Sequence, residues 1–276
     1  MGVLILSSLL QQCGGILTIL RKAKPLVHHI TNYVTVNDCA NMTLAIGASP
    51  IMADAIAEAE DIARLSSALV LNIGTLNSST IASMLVAGKA ANEKNIPIIL
   101  DPVGAGASTL RNDTVARILR EVYISVVRGN ISEVRFLAGL SSNTKGVDAS
   151  AADEMDNAAD VAQRVARMFH CVVAITGAVD TIADAERVVH IRNGHPMMAD
   201  VTGTGCMCSS LVGSFCGASP DWFEATAAAV LCMGIAGELA FETAGQNGTG
   251  SFRVALLDAV SRMNQNTMEE RGRING

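Results

Sequence analysis

Short apolar runs alternate with helix-length segments along almost the whole chain. The runs at 68–73 and 96–100 are mostly aliphatic, which is typical of strands buried on both faces of a sheet. The segments 36–46 and 79–94, which separate such runs, have the length of helices. Strands and helices that alternate in this way predict a parallel sheet covered by helices. We therefore expect an α/β fold with three layers, α/β/α, around a mostly parallel central sheet.

The two ends of the chain and one late segment have different patterns. The first 20 residues predict an amphipathic N-terminal helix, whereas residues 265–276 are polar and are expected to fray. Residues 187–192, followed by Asn193-Gly194, predict an antiparallel hairpin strand and its turn. No repeat, low-complexity block or linker divides residues 1–276, so we expect a single domain.

Composition narrows the possible partners to small molecules. The chain has 20 Lys and Arg against 26 Asp and Glu, a net charge of −6, without the basic stripe of a nucleic-acid-binding protein. No apolar run reaches the length needed to span a bilayer, and the apolar N-terminus lacks the positive start and cleavage site of a signal peptide. Seven cysteines, an odd number without Cys-x-x-Cys spacing, indicate a reducing cytoplasm and no transition-metal site.

Polar residues follow the predicted strands, where an open parallel sheet binds its ligands. These strand-end candidates are Asn32, Asn72, Asp101, Arg128, Glu133 and Thr176, together with the apolar Met52. Carboxylates of the Asp101 and Glu133 type are ligands for Mg²⁺, which binds them through water and substrate phosphates. Arg128 and Thr176 are suited to hold the phosphates of a nucleotide.

Each of these residues also has a structural interpretation. Residues 130–133 match a helix capping box that would use Glu133, and Asp101 before a proline fits a turn. Arg128 fits a surface ion pair, Asn32 fits a turn and Met52 fits a core position. The Walker pattern and a Gly-x-Gly-x-x-Gly helix start are both absent from the sequence, so a bound nucleotide would need another kind of site.

A glycine turn late in the chain is the strongest single feature. Gly203, Thr204 and Gly205 precede Cys206 and an apolar run that predicts a buried helix. Free amides at a helix start, together with the positive end of the helix dipole, form a site for a phosphate or for the charge that develops during its transfer. The alternative is an ordinary glycine turn that threonine caps.

Six short stretches, taken together and in order, resemble the ribokinase-like superfamily, and more closely the hydroxyethylthiazole kinases of thiamin salvage. The resemblance covers about 26–260, and its motifs are HITN at 29–32, GASPIM at 47–52, LNIGT at 71–75, DPVGAG at 101–106, RGNISE at 128–133 and DVTGTGC at 200–206.

The resemblance implies transfer of the γ-phosphoryl group of ATP to the hydroxyl of 4-methyl-5-(2-hydroxyethyl)thiazole. It also implies homotrimers with active sites between subunits. The roles that it implies for residues of this chain are thiazole binding by Met52, Asn32 and Gly203, ATP binding by Arg128 and Thr176, an anion hole at 203–205, Mg²⁺ held through water by Asp101 and Glu133, and the general-base position at Cys206.

Cys206 distinguishes the possible functions. The superfamily generally has aspartate at this position, whereas the thiazole kinases have cysteine. A hydroxymethylpyrimidine or other vitamin-precursor kinase, or a hydratase that repairs nicotinamide cofactors, would be expected to have the carboxylate. A ligand-binding protein with a decayed site is the non-enzymatic alternative, but the presence of Asp101, Arg128, Glu133 and Thr176 argues against decay. A helix N-terminus can lower the pKa of a thiol at this position.

Overall fold

The central element of the fold is a nine-stranded sheet. The computed structural model describes residues 2–140 and 151–276, with side chains from 8 to 140 and from 157 to 276. Within these residues the strands are β1 Leu26–Ile30, β2 Ser49–Ile51, β3 Ala68–Asn72, β4 Ile98–Asp101, β5 Val126–Gly129, β6 Val172–Ile175, β7 Asp180–Ala183, β8 Val188–Ile191 and β9 Ile274–Asn275. Their order across the sheet is β2-β1-β3-β4-β5-β6-β7-β8-β9.

The sheet has a parallel part and an antiparallel part. All neighbours from β2 to β6 pair in parallel, whereas β6, β7, β8 and β9 pair antiparallel. The connecting helices are α1 Gly2–Ala23, α2 Val36–Ile46, α3 Ile56–Leu65, α4 Ser78–Glu93, α5 Thr109–Glu121, α6 Ile131–Leu137, α7 Ala151–Phe169, α8 Thr204–Cys216, α9 Trp222–Ala244, α10 Thr249–Arg262 and α11 Gln265–Arg271. Two 3₁₀ segments cover Pro196–Asp200 and Gly245–Asn247.

Helices cover both faces of the sheet. Side chains of a strand alternate between the faces, so Leu69 and Leu71 of β3 join one hydrophobic cluster while Ala68 and Val70 join the other. Every residue of β3 is buried, which explains why its first four residues are all apolar. The three-layer α/β/α architecture predicted from the sequence is therefore confirmed.

The longest apolar helix belongs to the core. Residues 222–247, which include α9, are long and apolar enough to cross a membrane by length and composition alone, but 83% of the most apolar stretch is buried in the fold. α9 packs on α8, α10 and α1. Its apolar sequence is therefore explained by burial among other helices.

The C-terminal segment differs from the prediction that residues 265–276 fray. Helix α11 begins after Asn264, whose side chain accepts a hydrogen bond from the Thr267 amide at 3.0 Å. Strand β9 pairs with β8, and the Arg273 amide donates to Asn193 Oδ1 at 2.7 Å. The prediction was wrong because these contacts use backbone groups and a helix cap, which a polar sequence does not reveal.

The predicted hairpin also differs in its partner and its turn. β8 covers most of the predicted strand, but it pairs with β7 through a turn at 184–187. Asp184 Oδ1 holds this turn by accepting hydrogen bonds from the amides of Glu186 and Arg187 at 2.9 and 2.6 Å. Asn193-Gly194 is therefore not the hairpin turn, and it leads into the first 3₁₀ segment.

Candidate active site

The carboxyl ends of the parallel strands bring most of the sequence candidates together. Asn72 and Asp101 are register partners on β3 and β4, and Arg128 lies on the next strand, β5. Asn32 follows β1 and Thr176 follows β6 at the same edge. α8 begins above these strand ends and places Cys206 against them.

The glycine turn is shaped by close contacts. Gly203 has a φ of +86°, and a Cβ at this position would lie 2.5 Å from Cγ2 of Thr35. A Cβ on Gly205 would lie 2.7 Å from Nη1 of Arg128. Only glycine allows this backbone conformation and this approach at low cost. The first amides of α8, from Thr204 onward, have no carbonyl partner within the helix, and Gly203 provides no side-chain cap.

Two amide side chains contact the sulfur of Cys206. Nδ2 of Asn32 donates to Sγ at 3.3 Å, and Nδ2 of Asn72 donates to it at 3.2 Å. Asn32 and Asn72 are also joined to each other, because Nδ2 of Asn32 donates to Oδ1 of Asn72 at 3.0 Å. The sulfur of Cys206, at the start of α8, is therefore held in place as a hydrogen-bond acceptor.

Burial governs the protonation of Cys206. Burial raises the pKa of the thiol, and the negative charge of Asp101 raises it further. Hydrogen bonds from Thr35, Asn32 and Asn72 oppose this increase. The lowering expected from the helix N-terminus does not prevail, so the structure favours a thiol rather than a thiolate in the free protein.

Asp101 is fully buried at the centre of the site. Its Oδ2 accepts hydrogen bonds from Asn72 Nδ2 and from the Ser209 hydroxyl, both at 2.8 Å, and lies 3.7 Å from Nη1 of Arg128. Burial raises the pKa of Asp101, while the Arg128 charge and the Ser209 hydrogen bond oppose the change. Among the residues that the structure describes, Asp101 Oδ1 has no hydrogen-bond partner.

Glu133 has the capping role that the sequence allowed and a second contact besides. Its Oε2 accepts from the Asn130 amide at 2.9 Å, and the Asn130 side chain accepts from the Glu133 amide, which forms a capping box. Its Oε1 accepts from the Gly104 amide at 2.8 Å. Glu133 thus ties the loop after β4 to the start of α6.

The carboxylates fit a water-mediated Mg²⁺ rather than a site made of protein ligands alone. The unpartnered Oδ1 of Asp101 offers one free oxygen, and both oxygens of Glu133 are already engaged by backbone amides. Across the described residues, no group of three or more His, Cys, Asp or Glu could hold a metal ion. Mg²⁺ commonly keeps most of its waters and binds through one or two carboxylates and substrate phosphates.

A cavity of about 610 Å³ opens beside Arg128. The Arg128 side chain is 12% exposed, its Nη2 donates a short hydrogen bond to Oγ1 of Thr176, and its Nε has no partner among the described residues. Its role is therefore that of a buried cation at the cavity wall, not of a surface ion pair. The wall includes Arg128, Thr176, Gly177, Asp180, Asn193, His195, Thr204, Gly205 and Cys208.

Met52 lies apart from this network. It follows β2, the edge strand, and its side chain is half-buried. The hydrogen bonds that link Cys206 to the strand ends run through β1, β3 and β4 and do not include β2. Met52 therefore belongs to the outer rim of the sheet, on the side away from the cavity.

Several contributors to the site were not assigned a role from the sequence. The strand-end rule identified Asn72 but gave it no role, and Ser209 lies one helical turn after Cys206. Asp180 begins β7, which the sequence did not predict. His195 stacks on Phe241, with ring centroids 3.6 Å apart, and no local sequence pattern indicates this contact.

Comparison with known proteins gives the class first. The chain shares its fold with a ribokinase-like superfamily protein from Enterococcus faecalis V583, with a TM-score of 0.59 at 14% identity over 87% of each chain. The fold and the site thus define a ribokinase-like α/β protein with a glycine turn at the sheet's carboxyl edge.

The family is more specific. The sequence profile of the Hydroxyethylthiazole kinase family matches residues 17–266. A hydroxyethylthiazole kinase of Ruminiclostridium cellulolyticum is 58% identical over 271 residues, which are 98% of this chain and 99% of the relative. The structure of hydroxyethylthiazole kinase from Pyrococcus horikoshii OT3 has a TM-score of 0.87 at 39% identity, with 95% of this chain and 98% of that chain covered. The chain belongs to the hydroxyethylthiazole kinase family.

Proposed function

We propose that this protein transfers the γ-phosphoryl group of ATP to the hydroxyl of 4-methyl-5-(2-hydroxyethyl)thiazole, in thiamin salvage or biosynthesis. The observation that carries the proposal is the chain of contacts from Cys206 through Asn72 to Asp101 and Arg128, directly beside the glycine turn. These contacts connect the position proposed for the alcohol, which accepts the phosphoryl group, to a cation and to free backbone amides. Such groups are suited to stabilise a phosphoryl group during its transfer.

The alcohol binds on the acceptor side, which consists of Asn32, Asn72 and Cys206. The hydroxyl of the thiazole substrate lies next to Cys206, where its oxygen faces the start of α8. Asn32 and Gly203 contact the substrate from the β1 side. Met52, which a neighbouring subunit brings to the site, packs on the thiazole ring, for which a flexible and polarisable side chain is well suited.

ATP binds on the nucleotide side, which consists of Arg128, Thr176 and the cavity that they line. Arg128 and Thr176 bind the phosphates, and the amides at 203–205 form the anion hole for the charge that develops on the transferred group. The close approach of Gly205 to Arg128 supports this assignment because it places the cation against the helix start.

Asp101 and Glu133 hold Mg²⁺ through water. The bound ion neutralises charge on the phosphates during transfer. The free oxygen of Asp101 and the position of Glu133 in the first turn of α6, where it contacts the loop after β4, support this assignment.

Cys206 occupies the general-base position but depends little on base strength. Phosphoryl transfer proceeds through a loose transition state in which positioning and charge stabilisation supply most of the rate. The raised pKa of the thiol agrees with this view, since a thiol is a poor base at neutral pH. Cys206 therefore positions the alcohol. The alcohol's proton passes to an oxygen of the transferred phosphoryl group as the new O–P bond forms and the bond to the bridging oxygen of ATP breaks.

The protein is a cytoplasmic homotrimer whose active sites lie between subunits. A neighbouring subunit would bring its early segment, with Met52 on the rim of the sheet, toward the glycine turn. Seven free cysteines in the chain suit a reducing compartment. Sedimentation tests the assembly, because a species near the chain mass of 28.7 kDa would reject a shared site.

A phosphorylation assay tests the proposed reaction. Purified protein is given ATP and Mg²⁺ with either hydroxyethylthiazole or hydroxymethylpyrimidine, and the phosphorylated product is identified by its mass. We expect product from the thiazole alcohol alone. ATP binding without phosphorylation of either alcohol would refute the kinase proposal and favour a hydratase or a regulatory protein.

A further inference from the structure

We infer that Asn72 is a positioning residue that links Asp101 to Cys206 and makes position 206 an obligate hydrogen-bond acceptor. The contacts of Asn72 carry the inference, which rests on the proposed function only for its kinetic consequence. Asn72 is 2% exposed and uses each of its polar atoms within the protein.

The orientation of the Asn72 amide is fixed by the backbone. Its Oδ1 accepts from the Gly74 amide at 2.9 Å. A backbone N–H can only donate, so the atom facing it must be the carbonyl oxygen of the side chain. Gly74 permits this approach, because a Cβ there would lie 2.9 Å from the same oxygen. Nδ2 of Asn72 must therefore point toward Asp101 and Cys206.

Asn32 is fixed in the same manner. Its Oδ1 accepts from both the amide and the hydroxyl of Thr35, each at 3.1 Å. Its Nδ2 then donates to Asn72 Oδ1 and to Cys206 Sγ. Neither amide can rotate to offer an oxygen to residue 206 without losing a backbone donor. Position 206 consequently faces two N–H groups and requires an atom that accepts them.

Asn72 has the stronger link to the reaction because it also binds the buried carboxylate. One N–H of its amide donates to Asp101 Oδ2 and the other to Cys206 Sγ. The single side chain thereby sets the separation between the proposed metal-binding carboxylate and the position of the alcohol. Small displacements of reacting groups cause large rate losses, so this separation should affect kcat more than KM.

A double-mutant cycle tests the link. We measure kcat, KM and Tm for Asn72→Ala in the wild-type and Cys206→Ala backgrounds. In the wild-type background, we expect Asn72→Ala to lower kcat by at least about tenfold with KM nearly unchanged. In the Cys206→Ala background, where residue 206 offers no acceptor atom, the same substitution should cause a loss of kcat that is about threefold smaller. The Tm loss should shrink in the same background, which provides a readout if Cys206→Ala turns over too slowly.

Two further variants separate positioning from a merely structural role. Asn92→Ala removes an amide that bridges the backbone N–H and C=O of Tyr123 at the opposite end of α4, so we expect lower stability with unchanged kcat. Asn72→Asp keeps the size and the oxygen that faces Gly74 but removes both N–H donors. It should lower kcat more than Asn72→Ala does.

The inference would be overturned by Asn72→Ala with kcat within about twofold of wild type, or by equal penalties in both backgrounds. Asn72→Asp that is milder than Asn72→Ala would also contradict it, because shape would then matter more than the donors. If the wild type phosphorylates no alcohol, the proposed function fails, while the Tm cycle still reports whether Asn72 and Cys206 interact.

Discussion

The acceptor side and the nucleotide side of the site differ in how their polar atoms are paired. On the acceptor side, the oxygens and nitrogens of Asn32 and Asn72 have protein partners. On the nucleotide side, Nε of Arg128 is buried without a partner within the described residues, and the Arg128 side chain forms part of the wall of a cavity of about 610 Å³. Asp101, between the two sides, pairs one carboxylate oxygen and not the other.

This difference indicates how far each side of the site is organised before its substrate binds. A buried polar atom without a partner costs about 1–3 kcal/mol, so such atoms are retained where a ligand supplies the partner. We infer that the acceptor side is arranged before binding, whereas the nucleotide side keeps donors for the phosphates. Changes to the nucleotide side should therefore have the larger effects on the reaction.

Loss of the buried cation should have the largest effect. Arg128→Met removes the charge that faces the cavity and leaves the Asp101 carboxyl without its cation, so we expect kcat/KM to fall by about 10³-fold or more. Steady-state kinetics with ATP as the varied substrate measure the loss. Arg187→Met is a matched control, because Arg187 pairs with Asp184 and Asp221 at the opposite edge of the sheet. Comparable loss in both variants would contradict the assignment.

Displacement of the same cation should have the next largest effect. Gly205→Ala introduces a Cβ 2.7 Å from Nη1 of Arg128, and the end of this side chain can shift while the fold remains intact. We expect kcat to fall by about 10²-fold with little change in Tm. Gly250→Ala is the control, since its Cβ would meet nothing within 4 Å. Full activity in folded Gly205→Ala would exclude a role for the Arg128 position.

Changes at Cys206 should have a smaller effect because positioning outweighs base strength. Cys206→Ala should retain measurable turnover, about tenfold below wild type. Cys206→Asp should keep or raise turnover, because a carboxylate accepts the two amide donors that meet at this position. Product formation under saturating ATP measures both. A folded Cys206→Asp variant with no detectable phosphorylation would refute this account of Cys206.

A substitution at Asp180 should change the stability of the fold and its pH dependence more than it changes the reaction. Burial raises the pKa of Asp180 to about 7 from an ordinary 3.8, against the Gly177 hydrogen bond and the Arg128 charge. Because the folded state holds the proton more tightly than the unfolded state, stability is greatest below the ordinary pKa and declines as pH rises toward 7. Asp180→Asn should remove this decline and raise Tm above pH 7, which thermal unfolding across a pH series measures.

Asp184 provides a control of opposite sign for this pH dependence. Partial burial raises the pKa of Asp184, but hydrogen bonds from Arg187 and Glu186 outweigh it, and the pKa is lowered. Its contribution to stability is present above the ordinary pKa and is lost as the solution becomes more acidic. Asp184→Asn should therefore lower Tm at neutral pH. Parallel Tm profiles for Asp180→Asn and wild type would contradict the raised pKa.

The parallel half of the molecule was more predictable than the antiparallel half. β1 and α2 have the predicted bounds, because Leu26, Val27 and Ile30 mark a buried strand in spite of the two histidines between them, and Gly47 ends the helix. β7 is a four-residue strand that begins with a buried aspartate, and β9 has only two residues. Such short strands are stabilised by pairing with residues that are distant in sequence, so the local sequence pattern does not predict them.

The site divides in the same manner. Asp101, Arg128 and Thr176 could be predicted because the carboxyl ends of parallel strands meet at one edge. The contact between Asn72 and Cys206 spans 134 residues, and the stacking of His195 on Phe241 joins a 3₁₀ segment to the end of α9. These contacts depend on the packing of helices over the sheet, so sequence spacing gives no indication of them.

A structure of the protein with hydroxyethylthiazole and a non-hydrolysable ATP analogue would test the division into two sides most directly. We expect the thiazole hydroxyl within hydrogen-bonding distance of Cys206 Sγ, and the terminal phosphate between Arg128 and the amides at 203–205. A triphosphate bound against Asn32 and Asn72, with the alcohol in the cavity beside Thr176, would contradict the account.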